Sequence, residues 1–176
     1  MKKIIITGGS GYLGRNLIRY FQTNSNYEIV NFDIVKSKIT GVKEYLVDLA
    51  EGNIPIIENV YLMIHLAGFA DLEECKNQPL KSMTMNIEIT IKVTQYCIKT
   101  NIKNFIFSSS MYSVGNKGGF YGVSKACAEK YLFEFNCKYN INICILRVGS
   151  LYGSDSNKSN GLHKIVKNIL LEKKLN

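Results

Sequence analysis

The segment ITGGSGYLGRNL, residues 6–17, constrains the fold of this chain more than any other stretch. It places Gly8, Gly11 and Gly14 in the spacing G-x-x-G-x-x-G between a β-rich run and a helical pattern. Glycines at such a turn permit positive φ, let backbone N–H groups approach a diphosphate at the positive end of the helix, and let the helix pack close to the sheet. The spacing favours a dinucleotide-binding turn, and a glycine-rich turn without a ligand is the alternative.

Apolar runs and helical patterns alternate along the whole chain. Strands are predicted at residues 2–7, 28–32, 60–66, 105–107 and 141–148, and helices at residues 11–24, 79–100, 121–139 and 162–171. Strands that are apolar on both faces and alternate with helices indicate a parallel sheet that is covered on both sides. We therefore predict an α/β fold, a Rossmann-type doubly wound parallel sheet with helices on both faces.

Length and composition limit the class of protein. With 176 residues, 46% of them hydrophobic and 20% charged, the chain fits one soluble globular domain. The apolar stretch after Met-Lys-Lys is too short for a signal peptide or a membrane span, so we expect a cytoplasmic protein with no membrane partner. The five cysteines are odd in number and include no Cys-x-x-Cys pair, so we expect neither a metal site nor a disulfide framework.

The net charge of +8 raises the question of nucleic-acid binding. Only three of the 22 basic residues are arginines, and the lysines are scattered along the chain. A nucleic-acid surface needs a basic stripe with interleaved aromatic residues. We therefore expect no nucleic-acid partner, and the excess charge either attracts a small anionic ligand or reflects a lysine-rich composition.

A carboxylate stands where a dinucleotide site needs one. The acidic residue that takes the ribose hydroxyls is expected at the end of the second strand, about 20 residues after the glycine turn. Asp33 occupies this place in VNFDIV, and a helix-capping aspartate is the alternative interpretation. A carboxylate here repels a 2′-phosphate and favours NAD over NADP, while the nearby Lys36 and Lys38 leave NADP open.

The stretch SSSMYSVGNKGGFYGVSK, residues 108–125, brings hydroxyls, a phenol and an ammonium to the end of a buried strand. If Tyr121 opens a helix, Lys125 lies one turn along on the same face. The ammonium and the helix N-terminus then lower the tyrosine pKa from ~10 toward neutrality, so that the phenol can take a proton from a sugar or alcohol hydroxyl. Ser110 would hydrogen-bond that hydroxyl. Tyrosine and lysine four residues apart also occur by chance on many helices, so this interpretation depends on the glycine turn.

In their order along the chain, these segments resemble the extended short-chain dehydrogenases/reductases, and specifically the NAD-dependent epimerase/dehydratase group that acts on nucleotide sugars. The resemblance runs through TGGSGYLG, VDL, HLAG, KNFIFSSS, YGVSK and LRVGSLYG. It implies NAD as the cofactor, with NADP less favoured. The cofactor-binding residues that it implies are Gly8, Gly11, Tyr12, Leu13, Gly14, Asp33, Asp48, Leu49, Leu66, Ala67, Gly68, Asn86, Tyr121 and Lys125.

The same resemblance implies a catalytic set and a reaction. Ser110 is then the hydroxyl-binding serine, Tyr121 the catalytic base, and Lys125 the group that holds the nicotinamide ribose and lowers the tyrosine pKa. An epimerase of this kind removes hydride and proton from a sugar C–OH, lets the keto-sugar turn over, and returns hydride to the opposite face. The 4,6-dehydratases carry Thr-Asp-Glu at this strand end, where this chain has Ser110, Met111 and Tyr112, so dehydration is disfavoured.

The resemblance also implies a domain organisation and partners. Family members continue past the equivalent of Asn176 into a smaller part that binds the nucleotide and the sugar. We therefore expect a dinucleotide-binding domain over residues 1–153 and the start of a truncated substrate-binding part over residues 154–176. The expected partners are a nucleotide-sugar substrate and a second copy of the chain, a homodimer. Two alternatives stay open: an NAD(P)-binding module that is non-catalytic or depends on a partner, and an NADP-dependent ketoreductase.

Overall fold

The parallel sheet determines where each functional segment lies. The computed structural model describes residues 1–153 and 161–172. The strands are β1 (Lys3–Thr7), β2 (Glu28–Asp33), β3 (Lys43–Leu46), β4 (Val60–His65), β5 (Asn104–Ser110) and β6 (Asn142–Val148). They form one sheet in the order β3-β2-β1-β4-β5-β6, with every neighbouring pair parallel. The order reverses between β1 and β4, the switch point at which doubly wound sheets bind ligands.

Helices cover both faces of the sheet. They are α1 (Tyr12–Asn24), α2 (Leu72–Asn77), α3 (Pro79–Met83), a π-helical turn (Thr84–Glu88), α4 (Ile89–Lys99), a 3₁₀ turn (Met111–Ser113), α5 (Gly119–Lys138) and α6 (Gly161–Glu172). Ile18 of α1 packs on Ile4 and Ile6 of β1 in one apolar cluster. Val93 of α4 and Leu132 of α5 belong to a second cluster that includes the buried phenylalanines of β5. The α/β Rossmann-type fold predicted from the sequence is confirmed.

None of the helices in the described ranges is long and apolar enough to cross a membrane.

The sequence pattern does not predict β3 or α2. β3 is a four-residue edge strand that pairs with β2 alone and is only partly buried, so it has no clear apolar pattern. α2 has six residues, and it begins where Asp71 Oδ1 accepts hydrogen bonds from the backbone N–H groups of Glu73 and Glu74, each at 3.0 Å. This N-cap aspartate is the signal that could have located α2.

The long helix predicted at residues 79–100 is interrupted in the structure. Pro79 occupies the first turn of α3, as predicted, but the π-helical turn separates α3 from α4. Asn86 lies in this turn with its side chain fully buried. Single π turns inside helices occur frequently at functional sites.

The segments that carry Ser110 and Tyr121 differ slightly from the prediction. β5 continues past the predicted residues 105–107 to Ser110. It does so because its three serines pair with β6, from Ser108 opposite Leu146 to Ser110 opposite Val148. α5 begins at Gly119, so Tyr121 lies inside the first turn and does not open the helix. The part expected at residues 154–176 is described only for α6, and its residues 154–160 and 173–176 lie outside the described ranges.

Gly14 is expected to be intolerant of a side chain. A Cβ at this position would lie 2.5 Å from the Gly8 carbonyl oxygen and 2.5 Å from Gly9 Cα, both of which are backbone atoms that cannot rotate away. We expect Gly14→Ala to lower the free energy of unfolding by about 2 kcal/mol, measured by urea denaturation. Gly149→Ala is the matched control, since a Cβ there meets no atom within 4 Å, and it should change stability by less than about 0.5 kcal/mol. Equal effects of the two substitutions would contradict this account.

Candidate active site

The glycine turn after β1 lies against the chain that follows β4. Gly8 has φ of 70° and donates its N–H to the Phe32 carbonyl of β2 at 2.9 Å. A Cβ at Gly8 would lie 2.7 Å from the backbone nitrogen of Ala67. Glycine is therefore required here both for the backbone conformation and for the approach of two chain segments.

The N-terminus of α1 is left open toward this turn. Gly11 is the N-cap, so no side chain caps the helix, and the first turn contains no acidic residue. The positive end of the helix dipole and its free N–H groups suit a phosphate group. Tyr12 and Leu13 follow, both partly buried, and the Tyr12 hydroxyl lies against Gly153 in the segment after β6.

Asp33 stands at the end of β2, next to the glycine turn. Its Oδ2 accepts a hydrogen bond from the Ser10 backbone N–H at 2.9 Å, and its Oδ1 accepts one from the Val35 N–H at 3.3 Å. These two bonds fix the carboxylate while leaving it partly exposed. The position and the fixed orientation suit the binding of ribose hydroxyls.

Asp48 and Leu49, two of the cofactor-binding residues that the resemblance implies, lie beyond the end of β3. Leu49 is buried in the larger apolar cluster, whereas Asp48 is exposed and its Oδ1 accepts the Ala50 N–H at 2.9 Å. Next to Asp33, Ile34 and Val35 expose 66% and 57% of their surface. Sequence analysis did not single out this apolar pair, which an exposed apolar run directly after a strand-end aspartate could have indicated.

A buried hydrogen-bond chain runs through His65. Thr7 Oγ1 accepts the Ala67 N–H at 3.2 Å, so its hydroxyl proton is directed to His65 Nδ1 at 2.6 Å. His65 Nε2 then donates to Thr90 Oγ1 at 3.1 Å, and the Thr90 hydroxyl donates to the Asn86 carbonyl at 2.7 Å. Burial lowers the His65 pKa to about 3, and the nearby Lys125 charge adds to this effect. The imidazole is neutral and has a structural role beneath the strand ends.

Asn86 holds the segment after β4 in place. Its Oδ1 accepts the Phe69 N–H at 2.8 Å, and its Nδ2 donates to the Phe69 carbonyl and to Ser124 Oγ, each at 2.9 Å. Gly68 lies beside it, since a Cβ at Gly68 would be 2.7 Å from Asn86 Oδ1 and 3.5 Å from Lys125 Nζ. Leu66 and Ala67 complete this segment and are partly buried. The structure thus brings residues 66–68, Asn86 and Lys125 together.

Ser110 and Tyr121 face each other at the end of β5. Ser110 is buried, and its Oγ accepts the Tyr112 N–H at 3.2 Å. Burial raises the pKa of Tyr121, and a hydrogen bond with Ser110 lowers it by a smaller amount. The net pKa is therefore above the ordinary value, the direction opposite to the one expected from the sequence. The reason is that the Tyr121 phenol is largely removed from water, with its ring 6.4 Å from that of Tyr112 and its hydroxyl beside Ser110.

Lys125 is a buried cation. Its Nζ donates to the Ser108 carbonyl at 2.9 Å and lies 4.7 Å from the centre of the Phe107 ring. Burial lowers its pKa to about 8, against smaller raising effects of Cys75 and Glu129. At neutral pH the group is still mostly charged, and it directs its proton toward β5 in this structure.

Sequence analysis missed the residues that join α5 to the sheet. Glu129 accepts hydrogen bonds from Ser109 and from the guanidinium of Arg147, with Arg147 Nη2 at 2.8 Å from Glu129 Oε2. The repeat of four residues from Tyr121 to Lys125 to Glu129 could have indicated that all three share one face of the helix. Within the described ranges, no group of three His, Cys, Asp or Glu side chains could hold a metal ion.

A glycine turn at the switch point of a parallel sheet, followed by an uncapped helix and a strand-end carboxylate, is the arrangement of dinucleotide-binding Rossmann folds. The family model of the "NAD dependent epimerase/dehydratase family" matches residues 4–176. The chain belongs to this family.

Individual relatives are similar over most of this chain. An "Uncharacterized UDP-glucose epimerase YtcB" of Bacillus subtilis is 23% identical over 206 residues, which covers 98% of this chain and 64% of the relative. A "Putative UDP-glucose 4-epimerase" of Methanocaldococcus jannaschii is 24% identical over 172 residues, covering 85% of this chain and 56% of the relative. The chain thus spans somewhat more than half the length of these curated relatives.

Solved structures share the fold. One, described as "MoeE5 in complex with UDP-glucose and NAD", superimposes with a TM-score of 0.84 at 18% identity, covering 94% of this chain and 60% of that one. A UDP-glucuronic acid 4-epimerase from Bacillus cereus in complex with NAD gives a TM-score of 0.79 at 22% identity, covering 98% of this chain and 63% of that one. At these identities the likeness establishes the Rossmann-type architecture.

His65 is expected to stay neutral in the folded protein far below the usual histidine pKa. Because the folded-state pKa is about 3 and the unfolded value is ~6.5, the unfolded chain binds one more proton between these pH values. His65 therefore costs stability as the pH falls from 6.5, by up to about 1.4 kcal/mol per pH unit. Nitrogen-15 NMR of the imidazole at pH 5 should show the neutral ring, with a His163→Gln variant to assign the signal. A His65 titration near pH 6.5 would contradict the prediction.

Proposed function

We propose that this protein is an NAD-dependent nucleotide-sugar epimerase that works in the cytoplasm. The observation that carries the proposal is the convergence of Ser110, Tyr121 and the buried Lys125 at the end of β5, beside Gly68 in the segment that contacts the glycine turn. A proton-transfer group thereby adjoins the edge of the sheet where a dinucleotide would lie. Names of the relatives, such as UDP-glucose 4-epimerase, agree with this assignment.

The residues around the switch point fit NAD. Gly8 and Gly14 allow the turn to pack closely on itself and on residues 66–67, since side chains there would meet backbone atoms, and the uncapped end of α1 at Gly11 suits a diphosphate. Asp33 would take the adenosine ribose hydroxyls, and Lys125 the nicotinamide ribose. When bound, NAD would accept a hydride from the sugar and return it. The fixed Asp33 carboxylate favours NAD over NADP by repelling a 2′-phosphate.

Tyr121 is the acid–base residue in this proposal. In the chain alone its pKa is raised, so the phenol is protonated at neutral pH and needs a nearby positive charge to become a base. The Lys125 ammonium, one turn along α5, supplies that charge when it turns from the Ser108 carbonyl toward the active-site opening. Ser110 holds the sugar hydroxyl in line with the phenol.

The substrate class is a nucleotide sugar whose C–OH is oxidised transiently. The strand end carries Met111 and Tyr112 where elimination chemistry needs carboxylates, which favours epimerisation over dehydration. The relatives that share the fold are described with UDP-sugars. On this proposal, residues 1–153 form the dinucleotide-binding domain and residues 154–176 begin the part that contacts the substrate.

One alternative comes from another class of protein: an NAD(P)-binding module that is non-catalytic or depends on a partner. An NADP-dependent ketoreductase is the alternative enzyme. Epimerisation without an added electron donor identifies an epimerase, whereas turnover that needs NADPH identifies a reductase.

The proposed function is tested by measuring NAD binding and turnover in wild type and in Tyr121→Phe, which lacks the phenol hydroxyl. We expect native mass spectrometry to show one NAD per chain, and Tyr121→Phe to bind NAD with a Kd within about twofold of wild type, because the ring packing is kept. Turnover of a UDP-hexose should fall by at least about a hundredfold in Tyr121→Phe. Full turnover in this variant would refute the mechanism. A folded wild-type chain that binds neither NAD nor NADP would refute the enzyme assignment.

A homodimer is expected through the helices α3 and α5. Both expose large apolar side chains to solvent, namely Leu80, Met83, Phe120, Val123, Tyr131 and Phe133. Such a surface on a small chain favours association with a second copy. Light scattering at micromolar concentration should give twice the chain mass, and Val123→Glu should shift it toward the monomer. A monomer mass for wild type would refute the homodimer.

A further inference from the structure

The catalytic helix carries a carboxylate that the proposed mechanism does not use. Glu129 lies one turn beyond Lys125 on α5, and its side chain is only 11% exposed. A carboxylate is rarely buried to this extent unless it is paired and hydrogen-bonded.

Its neighbours come from three other segments around Ser110. Ser109, the neighbour of Ser110 on β5, donates its hydroxyl to Glu129 Oε1. Arg147 on β6 donates from Nε to both carboxylate oxygens at 3.2 and 3.3 Å and from Nη2 to Oε2 at 2.8 Å. Ser113 of the 3₁₀ turn lies close enough to lower the pKa of the carboxylate, and its Oγ donates to the Ser110 carbonyl at 2.8 Å.

The strand register explains why these groups converge. Ser109 pairs with Arg147 across β5 and β6, so their side chains stand side by side on the face that α5 covers. One carboxylate therefore joins the helix of Tyr121 and Lys125 to both strands, directly before Ser110 on β5. Bidentate pairing with a guanidinium adds a fixed orientation to the energy of the contact.

We propose that Glu129 is a positioning residue that holds the Ser110 end of β5 against the helix carrying Tyr121 and Lys125. This inference rests on the proposed function, because it assigns the contact a role in the same acid–base site. The geometry alone accounts for the positioning, and the charge of Glu129 adds a second effect on Lys125.

The charge effect follows from what surrounds the ammonium. The titratable groups that face Lys125 are Cys75 from α2, His65 from β4, and Tyr121 and Glu129 from its own helix. His65 is neutral, and burial raises the pKa of the Cys75 thiol and of the Tyr121 phenol, so both are neutral at pH 7. Burial raises the pKa of Glu129, but bonds from Arg147 and Ser109 and the nearby Ser113 outweigh it, so Glu129 is the negative charge in this group.

Glu129→Gln and Arg147→Gln both break the ion pair between these residues, but the first removes a negative charge and the second removes a positive charge. NADH affinity should be measured by fluorescence from pH 6 to 10 on wild type, Glu129→Gln and Arg147→Gln. The affinity contributed by the Lys125 ammonium is present below its pKa and is lost as the pH rises through it, near pH 8 in wild type. Loss of the Glu129 charge moves this midpoint to lower pH and weakens binding at pH 8 by about threefold, whereas loss of the Arg147 charge leaves it unchanged or moves it higher.

The outcomes separate the two proposals. If wild type binds NADH, both variants bind it more weakly at pH 7 and the midpoint falls only in Glu129→Gln, the positioning role and its charge effect are supported. If wild type binds NADH and both variants keep its midpoint, or both lower it, the inference is refuted while the proposed function stands. Absence of NADH binding to wild type refutes the proposed function and this inference with it. Should Glu129→Gln fail to fold by circular dichroism, a lowered midpoint in Arg147→Gln refutes the inference alone.

Discussion

A buried chain of hydrogen bonds links the glycine turn to α5, the helix that carries Tyr121 and Lys125, and the arrangement of the candidate site depends on it. It begins at Thr7, at the end of β1, and passes through His65 and Thr90 to the Asn86 carbonyl. The Asn86 amide continues it to the segment after β4 and to Ser124, next to Lys125. Each member has a partner, so the chain costs little to bury and fixes the ends of β1 and β4, α4 and α5 relative to one another. The neutral imidazole that burial favours fits this chain, with Nδ1 accepting from Thr7 and Nε2 donating to Thr90.

The elements that the sequence predicts well are those with a strong pattern over many residues. The parallel strands and the helices α1, α4 and α5 follow from apolar runs and helical periodicity, and the glycine spacing locates the switch point. β3 and α2 are too short for a pattern, and their presence depends on pairing with β2 and on the cap at Asp71. The interruption of the helix at Asn86 also has no local signal, because it depends on an amide side chain that reaches Phe69 on another segment.

The candidate site shows the same division between local and tertiary information. A family resemblance names Ser110, Tyr121 and Lys125, and the structure brings them together, but it reverses the expected direction of the Tyr121 pKa. A spacing of four residues predicts an ammonium one turn from the phenol, whereas the burial that raises the Tyr121 pKa depends on how α5 packs on the end of β5. The partners of Glu129 are likewise separated from it by about 20 residues, and only the β5–β6 register places them together.

The buried cation Lys125 makes the candidate site suited to a negatively charged group. The residue is 4% exposed, and among the residues that the structure describes the ion pairs do not include it. A carbonyl and an aromatic face are weak compensation for a buried cation, and its lowered pKa is the consequence. An anion or a developing phenolate beside the Lys125 ammonium therefore offsets part of the free-energy cost of burying that charge. The same burial that raises the Tyr121 pKa in the chain alone therefore makes the phenol more responsive to Lys125 once water is excluded, since charges interact more strongly in a medium of low dielectric constant.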